Sequence, residues 1–523
     1  MRQVIAMLLM MLPLCVHAQG GDIRRGNCTP GLSDETAGQT RGQRRALSNI
    51  NTDWDPNRIY RQPVVLIAFK DCDFSMEHPR EYYDSVFNEP GFNKGKGPGC
   101  VADYYREQSG GMLNLKFDVF GPYKINQSAK PNPNANADTA EYGTEAMIEA
   151  TQLWIAEDTE RQHKDYDWNG DMNINQVIYI NAGYSGNQDH VKSYGHIWPN
   201  TGSFPARGII QTYDDYWVRN YTISAEKQVT DRSWGIGTIC HEFTHSLGLP
   251  DIYPTGTGAG FSMVDEWDLM DGGNFTNGGW CPPNFSGLER MLMGWQSPIE
   301  LTEPTTIHDM KPLSEGGPVY MIRHTDKEYL LLENRQWSGW DVLLPGQGLA
   351  VFHVCYDATR WKRNWVNNST IQRGYQLVYA DNLDYDDWDK IIGSGNNPYV
   401  DGRNRHLGSA AYPWATDSTD FVNDCLDDNS TPPSLMYNTN QAGSRLLSKA
   451  ISNIRVADDG TVSFDFMGGD PEDIEELEMP ADLRPVAVYD LSGHCLGSRL
   501  ESQRPGLYII RYANGTTRKV FKR

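Results

Sequence analysis

Positive charge is what this sequence lacks most. Its 523 residues include 46 Lys and Arg against 68 Asp and Glu, which gives a formal net charge of −22. Because such a surface repels phosphates, nucleic acid and anionic membranes are not expected partners. The acidic composition instead suits an extracellular protein that binds cations.

Two further absences narrow the class of protein. Beyond the N-terminus no apolar run is long enough to cross a membrane, so we expect no transmembrane segment. The eight cysteines after residue 18 lie far apart and form no C-x-x-C pair, which argues against a zinc site built from thiolates. Cysteines of an exported chain can form disulfides, and Cys72 with Cys100 is the favoured pair.

A short apolar run opens the chain. Arg2 precedes an apolar stretch over residues 4–15, and the small residue Ala18 follows it. This pattern predicts a secretory signal peptide over residues 1–18, and hence a protein that is secreted or held on the outer cell surface. Residues 19–56 are polar and Gly-rich. They are either a disordered leader or a pro-segment in which Cys28 caps a metal as a thiolate.

Hydrophobic patterning divides the remaining chain. Residues 57–298 alternate apolar strands with helical periods, which predicts an α+β domain with a mixed sheet; residues 207–226 within it read as one hairpin. Residues 299–469 contain short alternating stretches separated by turns, the pattern of an all-β, sandwich-like domain. An acidic linker over residues 470–482 then leads to a small β unit at residues 483–523.

The stretch TICHEFTHSLGLPDIY, residues 238–253, contains candidate ligands for a metal ion. On a helix, His241 and His245 are neighbours on one face and can bind one metal ion. Gly248 stands where a helix needs a left-handed C-terminal residue, so the chain can turn back and offer Asp251. Three ligands leave one position open for water, which is the arrangement of catalytic rather than structural zinc.

Glu242 lies between the two histidines in sequence. We expect it to line an exposed cleft and to act as the general base that takes a proton from the zinc-bound water. Glu266 competes with Asp251 as third ligand, but the H-E-x-x-H-x-x-G-x-x pattern resembles that of the metzincins and favours Asp251. That class also has a methionine turn beneath the metal, for which WDLMDGG supplies Met270.

A second cation site is predicted at DYDWNGDMNINQ, residues 165–176. Asp165, Asp167, Asn169 and Asp171 place oxygens at alternate positions around a glycine, as in calcium-binding loops. The twelfth position is Gln176 instead of a bidentate glutamate. A polar turn before the next strand is the alternative interpretation.

These motifs together resemble the immune inhibitor A type of metzincin-like metallopeptidases. HEFTHSLGLPDIY, WDLMDGG and CPPNFSGLERMLMGW carry the resemblance, which extends over about residues 60–469. It implies a secreted zinc endopeptidase acting on proteins or peptides, often stabilised by calcium. His241, His245 and Asp251 would hold the zinc and Glu242 would be the base. The C-terminal unit resembles the sorting domain of type IX secretion substrates, which implies a secretion-machinery partner.

The alternative function is a surface adhesion or carbohydrate-binding protein with a degenerate peptidase fold. Aromatic side chains of the β domain suit sugar stacking as well as core packing, namely Trp337, Trp340, Trp361 and Trp365. A zinc hydrolase acting on glycopeptides is a third possibility. The presence of Glu242 favours the enzyme, since a decayed peptidase commonly loses its base.

Overall fold

The computed structural model describes most of the chain after residue 51. Its described residues are 52–92, 97–130, 139–158, 163–187, 196–228, 233–256, 262–383, 407–415, 422–470, 485–497, 500, 503–504, 506–512 and 515–522. The predicted signal peptide, the leader or pro-segment up to residue 51 with Cys28, residues 471–482 of the predicted linker and residues 483–484 of the predicted C-terminal unit lie outside them.

Six α-helices occur in the described residues. They are α1 (Pro79–Asn88), α2 (Val101–Gln108), α3 (Thr139–Glu157), α4 (Gly237–Leu247), α5 (Gly287–Leu292) and α6 (Ala358–Lys362). None of these helices is both long enough and apolar enough to cross a membrane. The helix predicted for the histidine motif is α4, and it ends at Gly248 with a φ of 113°, the left-handed conformation that glycine adopts without strain.

The first part of the chain is built on a five-stranded sheet. Its strands and those of a small neighbouring sheet are β1 (Ile59–Ala68), β2 (Asn114–Lys124), β3 (Asn173–Ile174), β4 (Val177–Tyr184), β5 (Asn200–Ser203), β6 (Ile210–Gln211), β7 (Trp217–Val218) and β8 (Asn220–Lys227). The main sheet has the order β2-β1-β4-β8-β5, in which β5 alone is antiparallel to its neighbour.

Both faces of this main sheet are buried, which explains the continuous apolar run in β1. Val64 and Leu66 pack in the same cluster as residues of α1, α2 and α4. Val65 and Ile67 point to the other face and pack with residues of α3. The sheet is therefore the middle of three layers, and α4 lies against one face of it.

The strands that follow form a second group of sheets. They are β9 (Ile299–Glu300), β10 (Thr305–Met310), β11 (Val319–Thr325), β12 (Glu328–Arg335), β13 (Gly348–Cys355), β14 (Tyr375–Leu377), β15 (Trp414–Ala415), β16 (Val422–Asn423), β17 (Ile451–Val456) and β18 (Val462–Phe466). The larger sheet has the order β14-β13-β12-β11-β9, and a three-stranded sheet has the order β10-β18-β17.

The larger sheet of this group is also buried on both faces. Leu331 and Phe352 belong to the cluster that contains α4, whereas Leu330, Leu332 and Val351 pack with β17 and β18. One buried cluster thus contains residues from both sides of residue 298, the predicted boundary between the α+β and the all-β parts. The described residues are mixed α and β throughout the first part and β-rich after it, as predicted.

A last, small sheet lies at the C-terminal end. Its strands are β19 (Pro485–Tyr489), β20 (Cys495–Gly497), β21 (Gly506–Tyr512) and β22 (Thr517–Lys522), in the order β20-β19-β21-β22. Val488, Ile510 and Tyr512 form its buried centre. The described part of the predicted C-terminal unit is therefore a β sheet.

Two local predictions are wrong. The seven cysteines among the described residues are all free, so Cys72 and Cys100 do not form a disulfide. The buried Cys100 instead caps α2, with its sulfur accepting the backbone N–H of Asp103 at 3.4 Å. Residues 207–226 are not one hairpin: β6 pairs with β7, but β8 lies in the main sheet parallel to β4. Although the sequence of β8, NYTISAEK, is largely polar, its inner six residues are buried because it lies between β4 and β5.

A buried ion network joins the two parts of the chain. Arg335 of β12 is fully buried, and it donates two hydrogen bonds to Asp341, at 2.7 and 2.8 Å, and one to Glu333 at 3.2 Å. The same guanidinium donates to the backbone carbonyls of Trp267 and Asn284, each at 3.4 Å. Arg335 therefore links the larger β-rich sheet to the segment that precedes Met270.

We predict that Arg335→Ala lowers the free energy of unfolding by about 3–5 kcal/mol, because it leaves buried carboxylates without their partner. Arg323→Ala is the matched control: Arg323 pairs with Glu300 at 3.0 Å, but both side chains are about one-third exposed. Loss of that exposed pair is expected to cost less than about 1 kcal/mol. Urea denaturation followed by tryptophan fluorescence measures both, and equal midpoints for the two variants would contradict the buried network.

Candidate metal centre

Helix α4 is fixed from the side of α2. The hydroxyl of Tyr105 donates to the backbone carbonyl of Cys240 at 2.7 Å and lies 2.9 Å from the hydroxyl of Thr244. Phe243 and Leu247 of α4 are buried in the same core. These contacts set the rotation of the helix about its own axis, and they determine where its two histidines point.

Three side chains converge at the C-terminal half of α4. Nε2 of His241 and Nε2 of His245 lie 3.2 and 3.0 Å from Oδ1 of Asp251. Within the described ranges this is the one group of three or more His, Cys, Asp or Glu side chains whose ligand atoms could hold a metal ion. The side chains of His241 and Asp251 are almost fully buried and that of His245 is 14% exposed, so the site meets solvent beside His245.

The other nitrogen of each imidazole faces a backbone carbonyl. Nδ1 of His241 lies 2.9 Å from the carbonyl oxygen of Leu269, and Nδ1 of His245 lies 2.8 Å from that of Leu249. Since a carbonyl only accepts, each Nδ1 carries a proton, and each Nε2 is the nitrogen whose lone pair can go to a metal ion. Metal-binding histidines are commonly oriented by such contacts, so both imidazoles fit a metal bound through Nε2.

The predicted methionine turn supports the segment that carries Asp251. The backbone carbonyl of Met270 accepts the N–H of Ile252 at 2.8 Å, and its neighbour Leu269 orients His241. The N–H of Met270 donates in turn to Asp268 at 2.8 Å. Met270 is fully buried. The turn therefore positions both sides of the site through its backbone.

Electrostatics keep Asp251 ionised. Burial alone raises the pKa of this carboxyl, but in the metal-free site protonated imidazoles of His245 and His241, whose Nε2 atoms face Oδ1, hold its pKa well below the ordinary value. A buried carboxylate and two imidazoles are the donor set of catalytic zinc sites. The residues present therefore fit a zinc ion with one coordination position left for water.

Glu242 is buried, with 1% of its surface exposed, so the expectation of an exposed cleft residue is wrong. Strand β5 lies beside its backbone, since the carbonyl of Glu242 accepts the hydroxyl of Thr201 at 2.5 Å. Glu266 lies in a short 3₁₀ segment (Asp265–Trp267) and is not in the converging group.

The predicted calcium loop is held by its own backbone. Asp167 accepts the N–H groups of Gly170, Asp171 and Met172 at 2.8, 3.2 and 2.9 Å. Asp171 accepts the N–H of Asn173 at 2.9 Å, and Asn169 donates to Asp171 at 3.1 Å. These contacts are those of a polar turn, the alternative interpretation. Calcium binding through Asp165, Asp167, Asn169 and Asp171 stays a sequence prediction that the geometry does not support.

Sequence reasoning missed one contact of the site. Asn364, which follows α6, exchanges two hydrogen bonds with Asp251. It lies 113 residues further along the chain, so no local spacing connects it with the motif. The cluster of asparagines in NWVNN, residues 364–368, is the signal in the sequence that marks this segment as unusual.

Comparison with known families gives this geometry a class. The model of the immune inhibitor A peptidase M6 catalytic domain matches residues 189–294, which contain α4, Asp251 and Met270. The predicted resemblance to immune inhibitor A-type metallopeptidases is thereby confirmed, with the match centred on the metal site.

Individual relatives agree with this class. The pre-pro-metalloprotease PrtV of Vibrio cholerae serotype O1 is 24% identical over 275 residues, covering 46% of this chain and 28% of the relative. Immune inhibitor A of Bacillus thuringiensis subsp. alesti is 26% identical over 269 residues, covering 45% of this chain and 37% of the relative. The aligned part thus spans about a third of these relatives, 28% to 37% of their length.

We predict that the purified protein holds about one zinc ion per chain, removable by chelator. His241→Ala should lose the metal because a ligand is deleted, and Asp251→Ala should weaken binding more than Glu266→Ala does. Elemental analysis after preparation without chelator measures the content. Absence of zinc would contradict the site, and the reverse order of the two acidic variants would move the third ligand to Glu266.

Proposed function

We propose that the protein is a secreted zinc endopeptidase that hydrolyses peptide bonds of proteins or peptides. The observation that carries the proposal is the convergence of His241 and His245 of α4 with Asp251, which follows the end of that helix. Glu242 is the residue next to His241 on the same helix. Bound zinc would lower the pKa of a water molecule to ~7 and polarise the scissile carbonyl. The metallopeptidase class of the relatives supports the same reaction.

Glu242 is the proposed general base. As an ionised carboxylate it would accept a proton from the attacking water and later donate it to the leaving amine, so no covalent intermediate with the protein forms. Its backbone is held on both sides, by the Tyr105 contacts to α4 and by the hydroxyl of Thr201. Burial excludes competing water from the carboxylate, which strengthens its interactions with charge that develops in the reaction.

Strand β5 offers a way to hold an extended peptide. Within the described residues it lies at one edge of the main sheet. Its residue Thr201 donates a hydrogen bond to the backbone carbonyl of Glu242. An edge strand presents backbone groups that an extended peptide can pair with as an added strand. A substrate bound there would run alongside the helix that carries the base.

Export is proposed from the sequence pattern. The signal peptide predicted over residues 1–18 would direct the chain out of the cell, and the sheet of β19–β22 would serve as a sorting unit. Its small buried centre of Val488, Ile510 and Tyr512 is compatible with a compact terminal module.

The adhesion alternative has weaker support from the tryptophans. Trp340 and Trp361 are buried, at 1% and 6% exposure, and pack in the core. Trp337 and Trp365 are about half exposed and remain available for a ligand. Two of the four aromatic residues therefore serve packing, and the converging metal ligands have no role in sugar stacking.

We predict that Glu242→Gln lowers peptide hydrolysis by at least ~10²–10⁴-fold, the usual worth of a positioned general base. Glutamine matches glutamate in shape but cannot accept the proton, so the fold and the zinc content should persist. The measurement is the cleavage rate of casein or a peptide library, with elemental analysis and thermal melting of the same preparation.

Glu266→Gln makes the same exchange at a neighbouring glutamate outside the converging group, and it should keep the wild-type rate. A Glu242→Gln variant as active as wild type would exclude Glu242 as the base. An activated wild-type protein that binds zinc and cleaves no peptide would favour the adhesion alternative.

A further inference from the structure

We propose that Asn364 is a positioning residue for Asp251, and that residues 364–368 clamp the ligand loop, residues 251–256, in its zinc-binding conformation. The proposal rests on the proposed function, because it assigns zinc to the site. The clamp comes from the connection between β13 and β14 and lies outside residues 189–294, which the family model matches. Zinc affinity in this chain would therefore depend on its β-rich part.

Asn364 holds Asp251 by two reciprocal hydrogen bonds. Its side-chain amide donates to Oδ2 of Asp251, and the backbone N–H of Asp251 donates to Oδ1 of Asn364 at 2.6 Å. Oδ1 of Asp251 meanwhile faces Nε2 of both histidines. The two carboxylate oxygens are thus divided between the amide and the metal site. Asparagine suits this position because it both donates and accepts, whereas aspartate would only accept.

The rest of the loop is held by the same segment. Oδ1 of Asn368 accepts the N–H groups of Thr255 and Gly256, at 2.7 and 3.1 Å. The hydroxyl of Thr255 donates to the backbone carbonyl of Asn364 at 2.6 Å. A Cβ on Gly256 would lie 3.1 Å from the Asn368 amide, so glycine permits this close approach. Residues 364–368 therefore hydrogen-bond to the ligand loop at both of its ends.

Asn367 ties the clamp to the β-rich sheet. It is fully buried, and its amide donates to the carbonyls of Ile252 and Tyr375, at 2.8 and 2.7 Å. Its Oδ1 accepts the N–H groups of Gly374 and Tyr375, at 2.8 and 3.0 Å. All its polar atoms are thus satisfied, which makes it a rigid joint between β14 and the ligand loop.

A ligand held in this way needs no reordering when the metal binds. Partners that hydrogen-bond to ligating groups typically contribute 10–100-fold to metal affinity, by setting the orientation and charge of the ligand. Without the amide, Oδ2 of the buried Asp251 would lose this donor and the carboxylate would be less firmly oriented. The expected consequence is weaker zinc binding in a protein that remains folded.

The test uses Asn364→Gly in the full chain. Asn364 has a φ of 60°, which glycine adopts without strain, so this exchange removes the side chain and leaves the backbone conformation accessible. Asn382→Gly is the matched control, because Asn382 is exposed and has a φ of 58°. Zinc affinity is measured by competition with a chromogenic chelator, and the zinc-free proteins are compared by thermal melting.

We predict that Asn364→Gly weakens zinc binding ~10–100-fold while Asn382→Gly leaves it unchanged. Both zinc-free variants should still melt cooperatively, with Asn364→Gly somewhat lower because it loses hydrogen bonds to a buried carboxylate. Excess zinc should recover part of the activity that Asn364→Gly loses. Asn368→Ala keeps the Asp251 contact and should give a smaller loss, with faster hydrogen exchange at residues 255–256. This second variant tests the clamp if Asn364→Gly fails to fold.

The outcomes separate this proposal from the proposed function. If the wild type binds zinc and cleaves peptides but Asn364→Gly binds zinc equally well, the positioning role is wrong and the enzyme assignment stands. If Asn364→Gly weakens binding while Glu242→Gln retains full activity, the clamp stands and the assigned base is wrong. A wild type that binds no zinc overturns both.

Discussion

The rest of the site depends on one constraint: the carboxylate of Asp251 is buried. Burying an isolated carboxylate costs many kcal/mol, so such a group would bind a proton and become neutral. Here two imidazoles face one oxygen and an amide donates to the other. The imidazoles belong to α4 and the amide to residues 364–368, and Leu269 beside Met270 orients one of the imidazoles, so these three segments have to converge for the loop to hold its charge.

This requirement explains why the two parts of the chain share a core. The larger β-rich sheet packs one face against α4 and its neighbours, and Arg335 of that sheet reaches the carbonyl of Trp267, three residues before Met270. Met270 in turn accepts the N–H of Ile252, next to Asp251. Both the first part of the chain and the β-rich part therefore hold the candidate metal site in place, through the contacts of Arg335 and Met270.

How much of this follows from the sequence depends on the distance between the interacting residues. The helix α4, its end at Gly248 and the return of the chain to Asp251 follow from spacing within fifteen residues, because local geometry determines them. The partner of β8 does not, since the mixed polar sequence NYTISAEK fits a hairpin arm as well as a strand inside a sheet, and only its distant partner β4 decides. The burial of Glu242 and the contact with Asn364 arise from packing of distant segments, which no local pattern contains. The absent disulfide is similar, because the type and spacing of Cys72 and Cys100 do not show that Cys100 caps a helix.

The charge of Asp251 also decides how the site responds to acid. Although burial acts in the opposite direction, the imidazoles of His245 and His241 leave the pKa of Asp251 well below its unfolded value. A group with a lowered folded pKa stabilises the fold above its unfolded pKa of about 4, and this contribution is lost only as the pH falls further, through the folded pKa. Asp251 therefore remains an anion in mildly acidic solution in the metal-free site, where its carboxylate faces the two imidazoles. Because the amide of Asn364 donates to Oδ2 of Asp251, the clamp also favours the ionised form, and it holds the ligand loop in place by hydrogen bonds that need no metal.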